Sequence, residues 1–253
     1  MLPLSVIIPT FNEAEHILPV LESVKWADEW LVVDSFSTDA TVERARQFGA
    51  TVVQRAYEGP AEQKNWAIGQ ARYRWVLILD ADERVPQALR REIQELLAVE
   101  PERDAYWIGR QNYFMGQKVR YSGWQGDAVI RLIRRDRCRY NQLKVHEEIE
   151  TSGIKVGRLT NKLEHFTYKS MEHYLAKTRR YSTWSAQDHL AKTPKVTAYH
   201  LFLKPLFRFF KHYILKGGFL DGRTGLIISV IMAWGVFLRY VKIRELHWKA
   251  REV

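Results

Sequence analysis

The chain has 253 residues, 39 Lys plus Arg against 29 Asp plus Glu, a single cysteine and 46% hydrophobic residues. That apolar share excludes wholesale disorder, and a lone Cys138 excludes a disulfide-stapled scaffold. The net charge of +10 is uneven: eleven Lys/Arg face three Asp/Glu between Thr193 and Val253, so a nearly neutral body carries a basic tail.

The start, Met1-Leu2-Pro3-Leu4-Ser5, has no basic region followed by a long apolar core. No signal peptide is expected, and a cytoplasmic address is the simplest reading. The first hundred residues then alternate two periods. Leu4 to Thr10 is a short apolar run of the kind buried on both sheet faces. Glu13 to Val24 has helical spacing, in which Pro19 must kink the helix or sit near its start. Glu29 to Asp34 reads as a second strand, and Ser37-Thr38-Asp39 offers cap oxygens to a helix that Gly49 stops. A strand at Thr51 to Gln54, a helix at Glu62 to Ala71, a strand at Trp75 to Asp80 and a helix opened by Pro86 complete the series. Strict alternation predicts βαβ units and an α/β fold with a parallel sheet. Ligands in such sheets bind beyond the carboxyl ends of the strands, where Pro9-Thr10, Glu13, Asp34 and Asp80-Ala81-Asp82-Glu83 gather.

Past Pro101 the pattern changes. Ala105 to Phe114 and Val129 to Arg134 look like strands, Tyr140 to Gly153 like a loop, and Met171 to Leu190 like a helix that Pro194 breaks. A basic aromatic stretch, a Gly217-Gly218 hinge and an apolar run from Leu226 to Leu238 follow. That run is shorter than the roughly 20 residues of a spanning helix, so a buried or re-entrant interfacial helix is expected.

Asp80-Ala81-Asp82 carries the strongest chemical signal. Strand alternation would send both carboxylates from one face, about 7 Å apart, one to hold a divalent cation such as Mg²⁺ or Mn²⁺ and the other to reach a hydroxyl. The plain alternative is a solvated acidic turn. Asp34 could accept N–H donors from a nucleotide base or merely cap a turn. Lys64 could neutralise a diphosphate or sit on the surface. No G-x-G-x-x-G follows the first strand and no P-loop is present, so neither a dinucleotide fold nor a P-loop ATPase is supported. His146-Glu147-Glu148 lacks the second histidine of a zinc protease helix.

In order, Val6-Ile-Ile-Pro-Thr-Phe-Asn-Glu13, Val32-Val-Asp-Ser-Phe-Ser-Thr-Asp-Ala-Thr41, Gln63-Lys-Asn-Trp-Ala-Ile68 and Leu79-Asp-Ala-Asp-Glu83 resemble family 2 glycosyltransferases. These are inverting, GT-A-fold enzymes that use nucleotide sugars. Ser122-Gly-Trp124, Asp127 to Leu132, Val145-His-Glu147, Tyr213-Ile214 and Gly218-Phe-Leu-Asp-Gly222 resemble the lipopolysaccharide-core β-glucosyltransferase branch. Two positions depart: Ser35 replaces the second Asp of the usual pair, and Gln125 stands where this branch often has Pro.

The resemblance implies a GT-A (Rossmann-like) mixed, mainly parallel sheet flanked by helices. Residues 1–192 would form the catalytic domain, with 1–100 the nucleotide-sugar half and 101–192 the acceptor half. Residues 193–253 would be a helical membrane-associating extension. Pro9, Thr10 and Glu13 would line the nucleotide, Asp34 would meet uracil, Lys64 would lie near the diphosphate, Asp80 near the ribose or sugar, and Asp82 would bind Mg²⁺ or Mn²⁺. Glu147 is the first choice for the base, with Asp127 and then Glu148 in reserve. The implied reaction moves glucose from UDP-glucose to a lipopolysaccharide-core acceptor, with another lipid-linked or surface-polysaccharide acceptor as the alternative.

In the tail, Tyr199, Phe202, Phe207, Phe209, Phe210 and Tyr213 interleave with Lys204, Arg208, Lys211 and Lys216. Such a segment could pack its rings on the domain, or lay them at an anionic membrane surface, peripheral on the cytoplasmic side of the inner membrane. A non-catalytic binding protein for nucleic acid or membrane is the rival from another class. With no recognisable nucleic-acid module in the chain, nucleic acid is not expected as a partner.

Overall fold

A computed structural model describes residues 1–141, 147–168 and 170–250, apart from the side chain of His173. Val145 and His146 of the quoted motif therefore lie outside the described residues. Strands β1 (Leu4–Thr10), β2 (Glu29–Asp34), β3 (Thr51–Gln54) and β4 (Trp75–Ile78) pair in parallel in the order β3-β2-β1-β4. Helices α1 (Ile17–Ser23), α2 (Thr41–Phe48), α3 (Pro60–Gln70) and α4 (Gln87–Leu96) complete this half. Past β4 come β5 (Glu83–Arg84), β6 (Ala105–Phe114), β7 (Gln117–Lys118), β8 (Ala128–Arg134) and β9 (Val156–Tyr168). They extend the sheet as β4-β8-β6-β9-β5, and β8 runs antiparallel to both β4 and β6. The expected α/β, GT-A-type mixed sheet with flanking helices is what forms.

Strand periodicity explains the core. Leu4, Val6 and Ile8 of β1 pack in one cluster with Ile17, Leu21, Leu89 and Ile93 from helices α1 and α4. Ile7, between them, joins a second cluster with Ala67 and Ile68 of α3. Side chains alternate across a strand, so one apolar run feeds both layers.

Two expectations change. The strand expected to reach Asp80 ends at Ile78, and Ala81-Asp82 is a turn closed by Glu83 N–H donating to the Asp80 carbonyl at 2.9 Å. The two carboxylates therefore do not leave a strand side by side. The apolar run from Leu226 to Leu238 is only the middle of a 28-residue helix, Gly222–Lys249, long and apolar enough by length and composition to cross a membrane. Its polar ends hid that length in the sequence.

The chain forms two compact units, Met1–Gln111 with Asp127–His165, and Asn112–Gly126 with Phe166–Val253. In the second, α5 (Met171–Leu190) packs along α7 (Gly222–Lys249), and α6 (Lys204–Phe210) is flanked by π turns at Tyr199–Leu203 and Lys211–Leu215. Its core holds Phe114, Tyr174, Ile228 and Ile231. Gly218 and Gly225 set the entry to α7: a Cβ on Gly225 would meet the Gly218 carbonyl oxygen at 1.8 Å. The Asp221 carboxylate accepts from the backbone of Arg120 (2.9 Å) and Tyr121 (3.0 Å) and from the Ser122 hydroxyl (2.8 Å). The Ser122-Gly-Trp124 and Gly218-to-Gly222 motifs are thus two sides of one clasp.

Candidate active site

The loops after β1 and β2 are stitched together. Asn12 N–H donates to Ser37 Oγ at 2.8 Å, Asn12 Oδ1 accepts from Thr38 N–H at 2.8 Å, and Glu13 N–H donates to Thr41 Oγ1 at 2.8 Å. Asn12 sits at φ 56, a region its short polar side chain tolerates. Asp39 holds Ala14 and Thr41 by their N–H groups, at 3.1 and 3.0 Å. Pro9 is half-buried and Thr10 buried at the end of β1. Thr10 and Glu13 thus reach this edge through the strand and the loop that follows it.

Asp34 is fully buried. Its carboxylate accepts from Ser37 N–H (2.9 Å), Gln54 Nε2 (3.1 Å) and Thr10 Oγ1 (3.4 Å), and from the Ser37 hydroxyl. In this state Asp34 organises the edge from beneath. Ser35 accepts from Gln63 Nε2 at 3.2 Å, which ties the departing position to α3.

Lys64, the residue after Gln63, is the hub of the site. Its buried ammonium donates to Glu147 Oε1 at 2.9 Å and lies 3.6 Å from Asp80 Oδ1 and 5.2 Å from the centre of the Tyr140 ring. Burial works against the Lys64 charge, but Asp80, Tyr140 and Glu147 together more than offset it and raise the ammonium above its ordinary range. Burial likewise disfavours the charged Asp80, yet the Arg131 guanidinium and then Lys64 hold its carboxyl well below the usual carboxylate range. Asn65, next along α3, clamps the Tyr140 backbone by accepting its N–H at 2.8 Å and donating to its carbonyl at 2.9 Å. Two adjacent residues of one helix therefore hold Glu147 and Tyr140.

Behind Asp80 lies a ladder of charge. Arg131 bonds Asp80 and also donates to the fully buried Glu83 at 2.9 Å. Arg110 lies 3.5 Å from Glu83 and grips Asp127 with two bonds, at 3.0 and 2.7 Å. That planar fork is a strong geometry. Asp82 turns elsewhere: its Oδ2 lies 3.4 Å from His165 Nε2 of β9. Sequence reasoning missed Arg110 and His165 and gave Glu83 and Arg131, though both stand in quoted motifs, no role of their own, because their chemistry shows only once the sheet pairs β5 with β9 and β8 with β4.

Lys64, Asp80, Asp127, Glu147 and Glu148 line one cavity of about 320 Å³, together with Trp107, Arg110 and Tyr140. All three candidate bases and two of the donor-side residues are therefore brought together. Pro9, Thr10, Glu13, Asp34 and Asp82 are not among its walls. Among the described residues no cluster of three or more His, Cys, Asp or Glu could hold a metal by itself. Asp82 and His165 offer one oxygen and one nitrogen donor, a pair that suits a divalent cation whose other ligands come from substrate phosphates and water.

Fold and site together define a glycosyltransferase. Residues 5–159 match Glycosyl transferase family 2, and the chain belongs to that family. It is 32% identical to the lipopolysaccharide core biosynthesis glycosyltransferase LpsC of Rhizobium meliloti (strain 1021), over 97% of this chain and 93% of that protein. It is 30% identical to an uncharacterized glycosyltransferase of Rickettsia typhi, over 100% of this chain and 90% of that protein. Among solved structures it is similar to glucosyl-3-phosphoglycerate synthase from Mycobacterium tuberculosis in complex with Mn²⁺, UDP and glucosyl-3-phosphoglycerate, with 25% identity, 46% of this chain and 45% of that one covered, and a TM-score of 0.37. It is also similar to Staphylococcus aureus TarS 1-349, with 16% identity, 99% and 91% coverage and a TM-score of 0.47.

Proposed function

We propose that this glycosyltransferase moves glucose from UDP-glucose to a lipopolysaccharide-core acceptor by a single inverting displacement, with a divalent cation bound. The observation that carries the reading is the Lys64 hub: a buried cation joined to Glu147 and Asp80 on one cavity wall. The similarity to LpsC supports the acceptor class.

In this reading Pro9, Thr10 and Glu13 line the nucleotide and Asp34 sets the shape of the base pocket. Lys64 takes up charge on the leaving diphosphate, an interaction that its own burial strengthens. Glu147 accepts the proton of the acceptor hydroxyl as that oxygen attacks the anomeric carbon from the face opposite the diphosphate. Inversion follows, and an α-linked donor gives a β-glycoside. Asp127 is held in the Arg110 fork and orients the acceptor side, while exposed Glu148 stands at the cavity mouth. Asp82 and His165 would hold the Mg²⁺ or Mn²⁺ ion, which supplies Lewis-acid neutralisation of diphosphate charge when bound.

A lipid-borne acceptor and a tail with a net charge of +8 from Thr193 to Val253 support a peripheral place on the cytoplasmic face of an anionic membrane. The test is turnover on purified protein with UDP-, GDP- and dTDP-sugars, with and without metal and core acceptor. Acceptor-stimulated release of UDP from UDP-glucose, lost on chelation, is expected. Donor binding without transfer to any core acceptor would move the reading to another lipid-linked or polysaccharide acceptor. Tight RNA binding with no turnover would sink it.

A further inference from the structure

Tyr199, Phe202, Leu203, Leu206, Phe207 and Phe210 recur at i, i+3, i+4, i+7, i+8 and i+11, and all six are more than half exposed, Phe202 at 67%. That is one face of a helix turned outward. Of the segment's residues from Tyr199 to Leu215, only His212 is buried. The rings therefore do not pack inward with the lysines outside, which was one of the two readings the sequence allowed. Leu215, Phe219 and Leu220 prolong the exposed apolar surface. A groove of about 510 Å³ is lined by Leu203, Leu206, Phe207 and Phe210, with Lys204 among its walls.

The charge around this stripe has one sign. Lys195, Lys204, Arg208, Lys211 and Lys216 lie in it, and no Asp or Glu occurs from Thr193 to Leu220. Arg208 is half-buried with the Arg239 guanidinium as its charged neighbour, and burial followed by that like charge lowers its pKa. Arg239 Nε is buried without a partner, and no carboxylate pairs with either arginine among the described residues. Arg208, whose Nη1 lies 3.3 Å from His212 Nε2, and Arg239 are both half-buried and together form a seat for an anion.

Helix α7 has the length to cross a bilayer, but its surroundings in this unit do not suit hydrocarbon. Its Ile228, Ile231, Val236, Tyr240 and Ile243 face is buried, and its neighbour α5 carries Lys177, Arg179, Arg180 and Asp188. Lys242 of α7 donates to the Arg179 carbonyl (2.7 Å), Ser182 Oγ (2.8 Å) and Thr183 Oγ1 (2.7 Å). Spanning would carry these charged groups of α5 into lipid or strip α5 away, at several kcal/mol per group.

We infer that the Tyr199–Leu220 stripe docks in the plane of an anionic bilayer, that Arg208 and Arg239 receive a lipid phosphate, and that α7 does not cross the membrane. The inference rests on the membrane reading above and specifies its surface and orientation. A second copy of the chain is a poorer occupant. A two-fold contact sets the same patch against itself, so the basic residues would face one another. A lipid surface supplies both the apolar layer and the opposite charge.

The test is flotation with sealed phosphatidylcholine vesicles, with and without phosphatidylglycerol. The wild type should float with the anionic vesicles. F207D/F210D should lose at least about tenfold in partitioning, with an unchanged thermal midpoint because both rings are already exposed. R208Q/R239Q should lose binding only where phosphatidylglycerol is present. In R223C and K249C, which mark the two ends of α7, an impermeant maleimide added outside the vesicles should react at both sites; native Cys138 is buried and should stay silent. Flotation of F207D/F210D equal to wild type would overturn the stripe, and protection of one end of α7 would overturn the in-plane orientation. A dimer in ultracentrifugation that F207D/F210D dissolves, with no flotation, would assign the face to a second copy instead. Wild type that does not float while still transferring to a soluble core fragment would defeat the membrane reading and leave the enzymatic one standing.

Discussion

The two units handle costly groups in opposite ways. In the first, charge is buried against partners: Lys64, Arg131, Glu83 and Asp34 are all buried, and each has named partners. In the second, apolar rings stand in solvent and the cations of the α6 segment lack carboxylate partners among the described residues. Buried charge is retained where a substrate is to meet it, since an apolar core of the same volume is often as stable or more so. Exposed rings flanked by cations mark a surface completed by something else. In the proposed reading, one unit meets a small anionic ligand and the other an extended anionic surface.

The largest effect that would break this contrast belongs to Asp82. Asp82→Ala should lower turnover by about 10³ or more while circular dichroism and vesicle binding stay as in the wild type. Equal loss of turnover and flotation would show that the units are not functionally separable. Glu147→Gln should follow, with kcat down about 10²–10³ and the donor KM little changed. A rise in donor KM alone would make Glu147 a binding residue. Turning to the second unit, Gly225→Ala should lower stability by about 2 kcal/mol, because the new Cβ meets the Gly218 carbonyl at 1.8 Å. Chemical denaturation would detect it, and an unchanged midpoint would mean the entry to α7 yields freely.

The Lys64 pair also has a pH signature. Its folded pKa is raised, so its contribution is complete below the unfolded value of about 10.4 and fades as pH climbs beyond it. Lys64→Met should be less stable than wild type at neutral pH and should show a shallower loss of stability in the alkaline limb, measured as denaturation midpoint against pH. The smallest effect is a gain. Tyr174 has a buried hydroxyl with no partner among the described residues, so Tyr174→Phe should raise stability by about 1 kcal/mol, read from the same denaturation series.

Much of the first unit was legible because its signals are local. Each parallel strand is an apolar run of four to seven residues, and the motifs stand at the ends of those runs. The ladder behind Asp80 was not legible. Arg131 and Glu83 are 48 residues apart, and only the β4–β8 and β5–β9 pairings converge them. The 13-residue β9 was missed for a similar reason: Arg158, Asn161, Lys162, Glu164 and His165 obscure its period, and its backbone is partly held by Glu92 of α4 through Thr160 and Asn161 N–H groups at 2.7 and 2.9 Å. His165, the companion of Asp82, went with it. In the second unit, the aromatic and basic residues were plain in the sequence, but composition could not say which way the rings turn.

The most direct measurement is the anomeric configuration of the product, by proton NMR of the purified glycoside formed from UDP-α-glucose and a core acceptor, run beside Glu147→Gln. The account predicts a β-linked product from wild type and a much slower formation of the same β-product from the variant. An α-linked product would contradict single displacement at the Lys64–Glu147 site.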